Sequence, residues 1–84
     1  MSDFKEFTDL VYSIRDRALL EDFLIAITTE KERAEFSQRI HIVKRLVKGI
    51  PQLQIAKDLG VGVATVTRGS RELKQGRFKV LKEQ

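Results

Sequence analysis

The chain has 84 residues, a net charge of +4 and 42% hydrophobic residues, which together indicate one small globular domain rather than a disordered segment. It contains no cysteine, and this excludes a disulfide framework and a thiolate metal site. No apolar run approaches the roughly 20 residues that span a membrane, and the opening residues do not resemble a signal peptide, so we expect a cytoplasmic protein.

Apolar residues recur at helical spacing from the start of the chain and predict two helices before residue 28. The first carries a stripe from Phe4 to Ile14, and either Ser2 or Asp3 can cap its start. The second is shorter and is marked by the apolar residues between Leu19 and Ile27.

A third helix is predicted from about Glu30 to Lys48, because Thr29 and Glu32 have the spacing of a capping box. Gly49 suits its C-terminal cap, and Pro51 opens the next element. We expect this helix to be central to the core, since its apolar face is wide and includes Phe36, Ile40, Ile42, Val43, Leu46 and Val47.

The segment PQLQIAKDLGVGVATVTRGSRELK, residues 51–74, predicts a helix-turn-helix. Ala56 is small where the two helices approach, and Gly60 suits the left-handed conformation that ends the first helix. Val61 and Val66 are placed to fill the angle between the helices. An ordinary helical hairpin of core residues is the alternative interpretation.

The predicted second helix of this pair carries side chains that suit DNA. Small methyl- and hydroxyl-bearing residues at its start can reach base edges, and basic residues further along can reach phosphates. The candidate DNA contacts are Gln52, Val63, Ala64, Thr65, Thr67, Ser70, Arg71 and Lys74.

Charge is distributed unevenly along the chain, and this favours a polyanionic partner. Residues 1–38 hold five basic and nine acidic residues, a net of −4, whereas residues 39–84 hold eleven basic and three acidic residues, a net of +8. A positive half of this density attracts nucleic acid through Coulomb steering and counterion release. A solvated basic face is the alternative.

At this point the sequence resembles the tryptophan operon repressor family, over about Leu19 to Lys74. The resemblance is carried by LGVGVATVTRGSRELK, by SQRIHIVKRLVKG and by TTEKER. It implies an all-α, six-helix subunit in an intertwined homodimer, with the helix-turn-helix formed by helices 4 and 5. It also implies a palindromic double-stranded DNA operator and L-tryptophan as corepressor.

The resemblance also implies a ligand site. Arg39 and Arg68 flank the ligand ring, and Arg68 pairs with its carboxylate. Gly69 lets the ring approach, and Thr65 lies beside the ring. Thr29 of the partner subunit contacts the ligand ammonium. Arg39 as a surface charge and Gly69 as a packing glycine are the alternatives.

The chain departs from the family pattern at Glu72, where tryptophan repressors carry a serine that holds the ligand amino group. A carboxylate there can bind the ammonium or can pair with Arg68 or Arg71 and occupy the site. Some relatives have lost amino-acid binding, which leaves open a repressor that needs no ligand.

The sequence predicts no catalytic residue and no metal site. His41 is the one histidine and lies in mid-helix between Ile40 and Ile42, away from any nucleophile or carboxylate cluster in sequence. We expect a single domain, 1–84, with dimerisation helices in 1–48, a DNA-reading head in 51–75 and a short C-terminal helix and tail in 76–84. A helical protein-interaction module with a basic face is the alternative from another functional class.

Overall fold

The computed structural model describes residues 3–82 and is helical without strands over that range. In chain order, the helices are α1 (Asp3–Ser13), α2 (Arg17–Ile27), α3 (Glu30–Val47), α4 (Gln52–Leu59), α5 (Val63–Lys74) and α6 (Lys79–Lys82). The predicted all-α, six-helix class is therefore confirmed, while the alternative cap Ser2 lies outside the described residues. No helix in residues 3–82 is long and apolar enough to cross a membrane.

The chain divides into two compact units, Met1–Arg33 and Ala34–Gln84. In the first unit, the ring centroids of Phe7 and Phe23 lie 6.0 Å apart and join α1 to α2. Among the described residues, α1 and α2 each have 11 residues, so the second helix is not the shorter of the two over that range. The Asp16 carboxylate accepts a hydrogen bond from the Ala18 N–H at 2.8 Å and starts α2 ahead of its first large apolar residue.

The predicted capping box at the start of α3 is confirmed. The Thr29 N–H donates to Glu32 Oε1 at 2.8 Å, and the Glu32 N–H donates to Thr29 Oγ1 at 3.1 Å. These bonds hold the pKa of Glu32 below its ordinary range, with the Thr29 backbone N–H as the larger cause and the Thr29 side chain as the second. Arg33 secures the preceding turn by donating to the carbonyl oxygens of Ile25 at 3.0 Å and Thr28 at 2.9 Å.

The core of the second unit is formed by α3, α4 and α5. Its buried cluster consists of Ile42, Ile55, Ala56 and Val66, with Leu46, Ile50, Leu59 and Val61 packed against it. Helix α3 contributes less of its apolar face than predicted, since Phe36 is 45% exposed and Ile40 and Val47 are each 41% exposed. The buried part of that face is Ile42 and Val43.

The turn between α4 and α5 consists of Gly60, Val61 and Gly62. Gly60 has φ +66° and ψ +36°, a left-handed conformation in which a Cβ would be strained. The Val61 N–H donates to the Ala56 carbonyl oxygen at 3.0 Å, so the chain turns directly from one helix into the next. Val66 is fully buried beneath this turn, as the sequence pattern predicts.

Candidate ligand cleft and DNA-facing helix

The second unit contains a cleft of about 710 Å³ that is lined by α3, α5 and the residues after α5. This volume is in the range of small-molecule sites, roughly 300–1,000 Å³. The cleft brings together five of the six predicted ligand residues, which are Arg39, Thr65, Arg68, Gly69 and Glu72. The sixth, Thr29, lies in the first unit and makes the capping box of α3.

Helical spacing explains why these residues share one cleft. On α5, Thr65, Arg68 and Glu72 follow one another at three- and four-residue steps, which places them on one face. The α3 wall repeats the same spacing, and its lining residues are Glu35, Gln38, Arg39, Ile42 and Val43. Glu35 and Gln38 were not singled out from the sequence, although their spacing from Arg39 places them on its face.

Gly69 lines the cleft and also lies close to the side chains of α3. A Cβ at this position would lie 3.4 Å from Ile42 Cγ2 and 3.4 Å from Leu46 Cδ1. These are ordinary van der Waals distances, so an alanine would fit at this position in contact with the side chains of α3. Packing alone does not require glycine here, and both interpretations of Gly69 stay open.

Two ion pairs lie at the cleft. Glu35 Oε2 lies 3.8 Å from Arg39 Nη2, and Glu72 Oε1 lies 3.4 Å from Arg77 Nε. Three arginines line the cleft. Arg39 and Arg77 each form an ion pair, whereas Arg68 forms none within the described part of the chain. An incoming anion would meet this guanidinium without first displacing an acidic side chain.

Glu72 pairs with a cation that the sequence pattern did not indicate. The two candidate partners were Arg68 and Arg71, but the structure joins Glu72 to Arg77. Arg77 and Phe78 line the cleft because the chain reverses after α5. The helical spacing of side chains does not continue through this turn. The sequence pattern therefore does not predict that Arg77 and Phe78 line a cleft together with α3.

The candidate DNA contacts fall into two groups by exposure. Val63, Ala64, Thr65, Arg71 and Lys74 are exposed, whereas Gln52, Thr67 and Ser70 are partly buried. The partial burial of two of them has a clear cause, since Thr67 Oγ1 donates to Gln52 Oε1 at 2.8 Å. Ala64 and Thr65 also line the cleft, so the start of α5 belongs to both predicted sites.

Comparisons with known proteins agree on one family. The sequence pattern of the family described as "Trp repressor protein" matches residues 2–82. The chain is 41% identical over 73 residues to a "Trp operon repressor homolog" of Vibrio campbellii, covering 86% of this chain and 73% of that protein. It is 38% identical over 89 residues to the homolog of Vibrio parahaemolyticus, covering 98% of this chain and 86% of that protein.

A third relative, from Vibrio vulnificus, carries the same description and is 40% identical over 74 residues, covering 87% of this chain and 72% of that protein. No solved structure is significantly similar to the chain. The family match covers nearly the whole chain, and the relatives agree with it. The chain therefore belongs to the Trp repressor protein family, whose members are repressors and not enzymes.

Proposed function

We propose that the chain is a transcriptional repressor that binds a palindromic DNA operator as a homodimer, with L-tryptophan as its corepressor. The observation that carries this proposal is the position of Ala64 and Thr65. Both residues line the cleft, and both are exposed in the first turn of α5. A ligand in the cleft would therefore contact the helix that is proposed to read DNA.

The α4–turn–α5 unit is proposed to act as a helix-turn-helix with α5 in the major groove. The exposed start of α5 offers methyl and hydroxyl groups, which reach thymine methyls and base edges without crowding the groove. Arg71 and Lys74 are exposed in the last turn of the same helix, where they can contact phosphates. This surface therefore offers groups for base contacts and positive charge for phosphate contacts.

The cleft has the chemistry to hold an amino acid. Arg68 can bind a carboxylate with its fork of donors, while the guanidinium planes of Arg39 and Arg68 can stack on an aromatic ring. Glu72 is placed to attract an ammonium group, in competition with its partner Arg77. By resemblance, the partner subunit's Thr29 also contacts the ligand ammonium.

The proposed dimer interface uses the apolar side chains that are left exposed on each of α1, α2 and α3. Phe4 is 75% exposed, and Leu19, Ile25, Phe36 and Ile40 are exposed as well. Exposed apolar surface on this scale in so small a chain is typical of a subunit that completes its core by association. A second copy of the chain presents the complementary face.

One observation favours a second candidate function, a repressor of the same family that binds DNA without a ligand. Arg77 already neutralises Glu72 at the cleft. If Arg77 takes the place of the ligand ammonium, Glu72 needs no ligand to balance its charge, and the cleft can remain empty. Operator affinity would then be independent of amino acids.

The test is a binding measurement on two duplexes, a palindrome selected from a random library and its scrambled counterpart. The proposal predicts preference for the palindrome and tighter binding when L-tryptophan is present. Equal binding to the two duplexes contradicts sequence-specific recognition. Preference for the palindrome that is unchanged by each of the twenty amino acids contradicts the corepressor and supports the ligand-independent repressor.

A further inference from the structure

Phe78 is unusual in both conformation and position. It is the one non-glycine residue between residues 3 and 82 with a positive φ, at +60°. It is half-buried and is the one aromatic side chain among the described residues that line the cleft. A bulky residue keeps a left-handed conformation only where its surroundings enforce it, and such positions cluster at binding sites.

The end of α5 fixes the course of the chain directly before Phe78. Gly76 has φ +87°, and its N–H donates to the Leu73 carbonyl oxygen at 3.0 Å. The Arg77 N–H donates to the Glu72 carbonyl oxygen at 3.0 Å, which completes a Schellman cap. The Glu72–Arg77 ion pair adds a side-chain link between the same two residues. The chain is thereby turned back so that Phe78 reaches the cleft.

We infer that Phe78 determines the specificity of this cleft for an aromatic amino acid, and that the Glu72–Arg77 link positions it. The inference rests on the proposed function, in which the cleft binds an amino acid. A phenyl ring makes stacked or edge-to-face contacts with an aromatic ligand that it cannot make with an aliphatic one. Phe78 thus adds a ring contact to the stacking on Arg39 and Arg68, and it makes no contact with the carboxylate that all amino acids share.

Phe78→Gly is the decisive variant, because glycine adopts a φ of +60° without strain while removing the ring. A purely structural role predicts a lower unfolding temperature and equal losses of affinity for all ligands. The specificity role predicts an unchanged or higher unfolding temperature with selective loss of aromatic binding. Phe78→Leu retains apolar bulk without the ring and serves as the second variant.

The experiment is calorimetric titration of the full chain with L-tryptophan, together with competition by L-leucine. The chain contains no tryptophan, so indole fluorescence reports the ligand alone and gives an independent affinity. Val80→Ala is the matched control, since it truncates a nearby apolar side chain that is 66% exposed and does not line the cleft.

We expect Phe78→Gly to weaken L-tryptophan about tenfold relative to L-leucine, with a smaller loss for Phe78→Leu and none for Val80→Ala. An unchanged ratio of the two affinities in both Phe78 variants overturns the inference and leaves the proposed function standing. Failure of the unaltered chain to bind any amino acid overturns the proposed corepressor and this inference with it.

Discussion

Thr67 Oγ1 donates a hydrogen bond to Gln52 Oε1 at 2.8 Å, so the first residue of α4 is joined to the middle of α5. Both side chains are partly buried, and both were predicted to contact DNA. The bond gives both side chains a structural role, because it joins the start of α4 to α5. The Gln52 amide can still donate through its nitrogen, so contact with a phosphate is compatible with this bond.

A double-mutant cycle measures this link. Gln52→Ala and Thr67→Val each remove one partner, and we expect a coupling energy of about 1 kcal/mol in the free energy of unfolding. Gln54→Ala is the control, because Gln54 bonds to Asp58 within α4 and not to α5. Strictly additive effects of the two substitutions in urea unfolding would show that the bond does not stabilise the helix pair.

The capping box predicts an acid-sensitive start of α3. The hydrogen bonds from Thr29 lower the pKa of Glu32 in the folded protein, so its contribution is present above the pKa of an unfolded glutamate. That contribution is lost as the pH falls through the lowered pKa. We expect Glu32→Gln to flatten the loss of unfolding free energy on acidification.

The control for this prediction is Glu30→Gln, which removes another carboxylate from the first turn of α3. It keeps the reciprocal bonds between Thr29 and Glu32 intact. Urea unfolding at a series of pH values compares the variants. Parallel pH profiles for the unaltered chain and Glu32→Gln would refute the prediction.

Phosphate contacts are separable from base contacts by salt dependence. Replacing Arg71 or Lys74 with alanine should weaken binding on all duplexes alike and lower the slope of log affinity against log salt by about one. Arg15→Ala removes the same charge from the acidic half of the chain and should leave the slope unchanged. Thr67→Ala and Ala64→Leu should instead change which duplex is preferred. Similar behaviour of the two groups would contradict this division of contacts.

Because some apolar residues of α3 are exposed and others are buried, we expect substitutions to affect association and folding separately. Phe36→Asp places a charge where the partner is proposed to pack. We expect it to weaken the free energy of dimerisation by about 3 kcal/mol, which raises the dimer dissociation constant roughly a hundredfold. Val43→Asp should instead unfold the second unit, since Val43 is buried within a single chain.

Leu53→Asp is the control for this experiment, because Leu53 is also exposed but lies on α4, outside the proposed interface. Sedimentation at micromolar concentration should show dimers of the unaltered chain and of Leu53→Asp, and a shift toward monomer for Phe36→Asp. A folded monomer of the unaltered chain at that concentration would exclude the proposed dimer.

The features that could be predicted from the sequence are those set by local interactions. The capping box of Thr29 and Glu32 and the left-handed Gly60 depend on residues close in the chain, and both are observed. The cleft residues of α5 were implied by the family resemblance, and helical spacing explains why they lie on one face. The positions of Arg77 and Phe78 could not be predicted, because they depend on how the chain turns after α5 and on which helix it then meets.

The start of α2 shows a related limit. Its apolar pattern begins at Leu19, but the helix begins at Arg17 because the Asp16 carboxylate satisfies a free backbone N–H. The exposure of Phe36 and Ile40 has another origin. A hydrophobic pattern indicates which residues are to be buried, and a single chain of this size does not supply the surface that covers them all.

The most direct test of the central claim, that an amino acid in the cleft controls DNA binding through α5, is operator affinity with and without saturating L-tryptophan. We expect L-tryptophan to tighten binding by between about 5- and 150-fold, the usual range of coupling between two sites. Arg68→Ala should abolish this gain, while Arg45→Ala, which removes an arginine that does not line the cleft, should preserve it. The same operator affinity with and without L-tryptophan in the unaltered chain would contradict the claim.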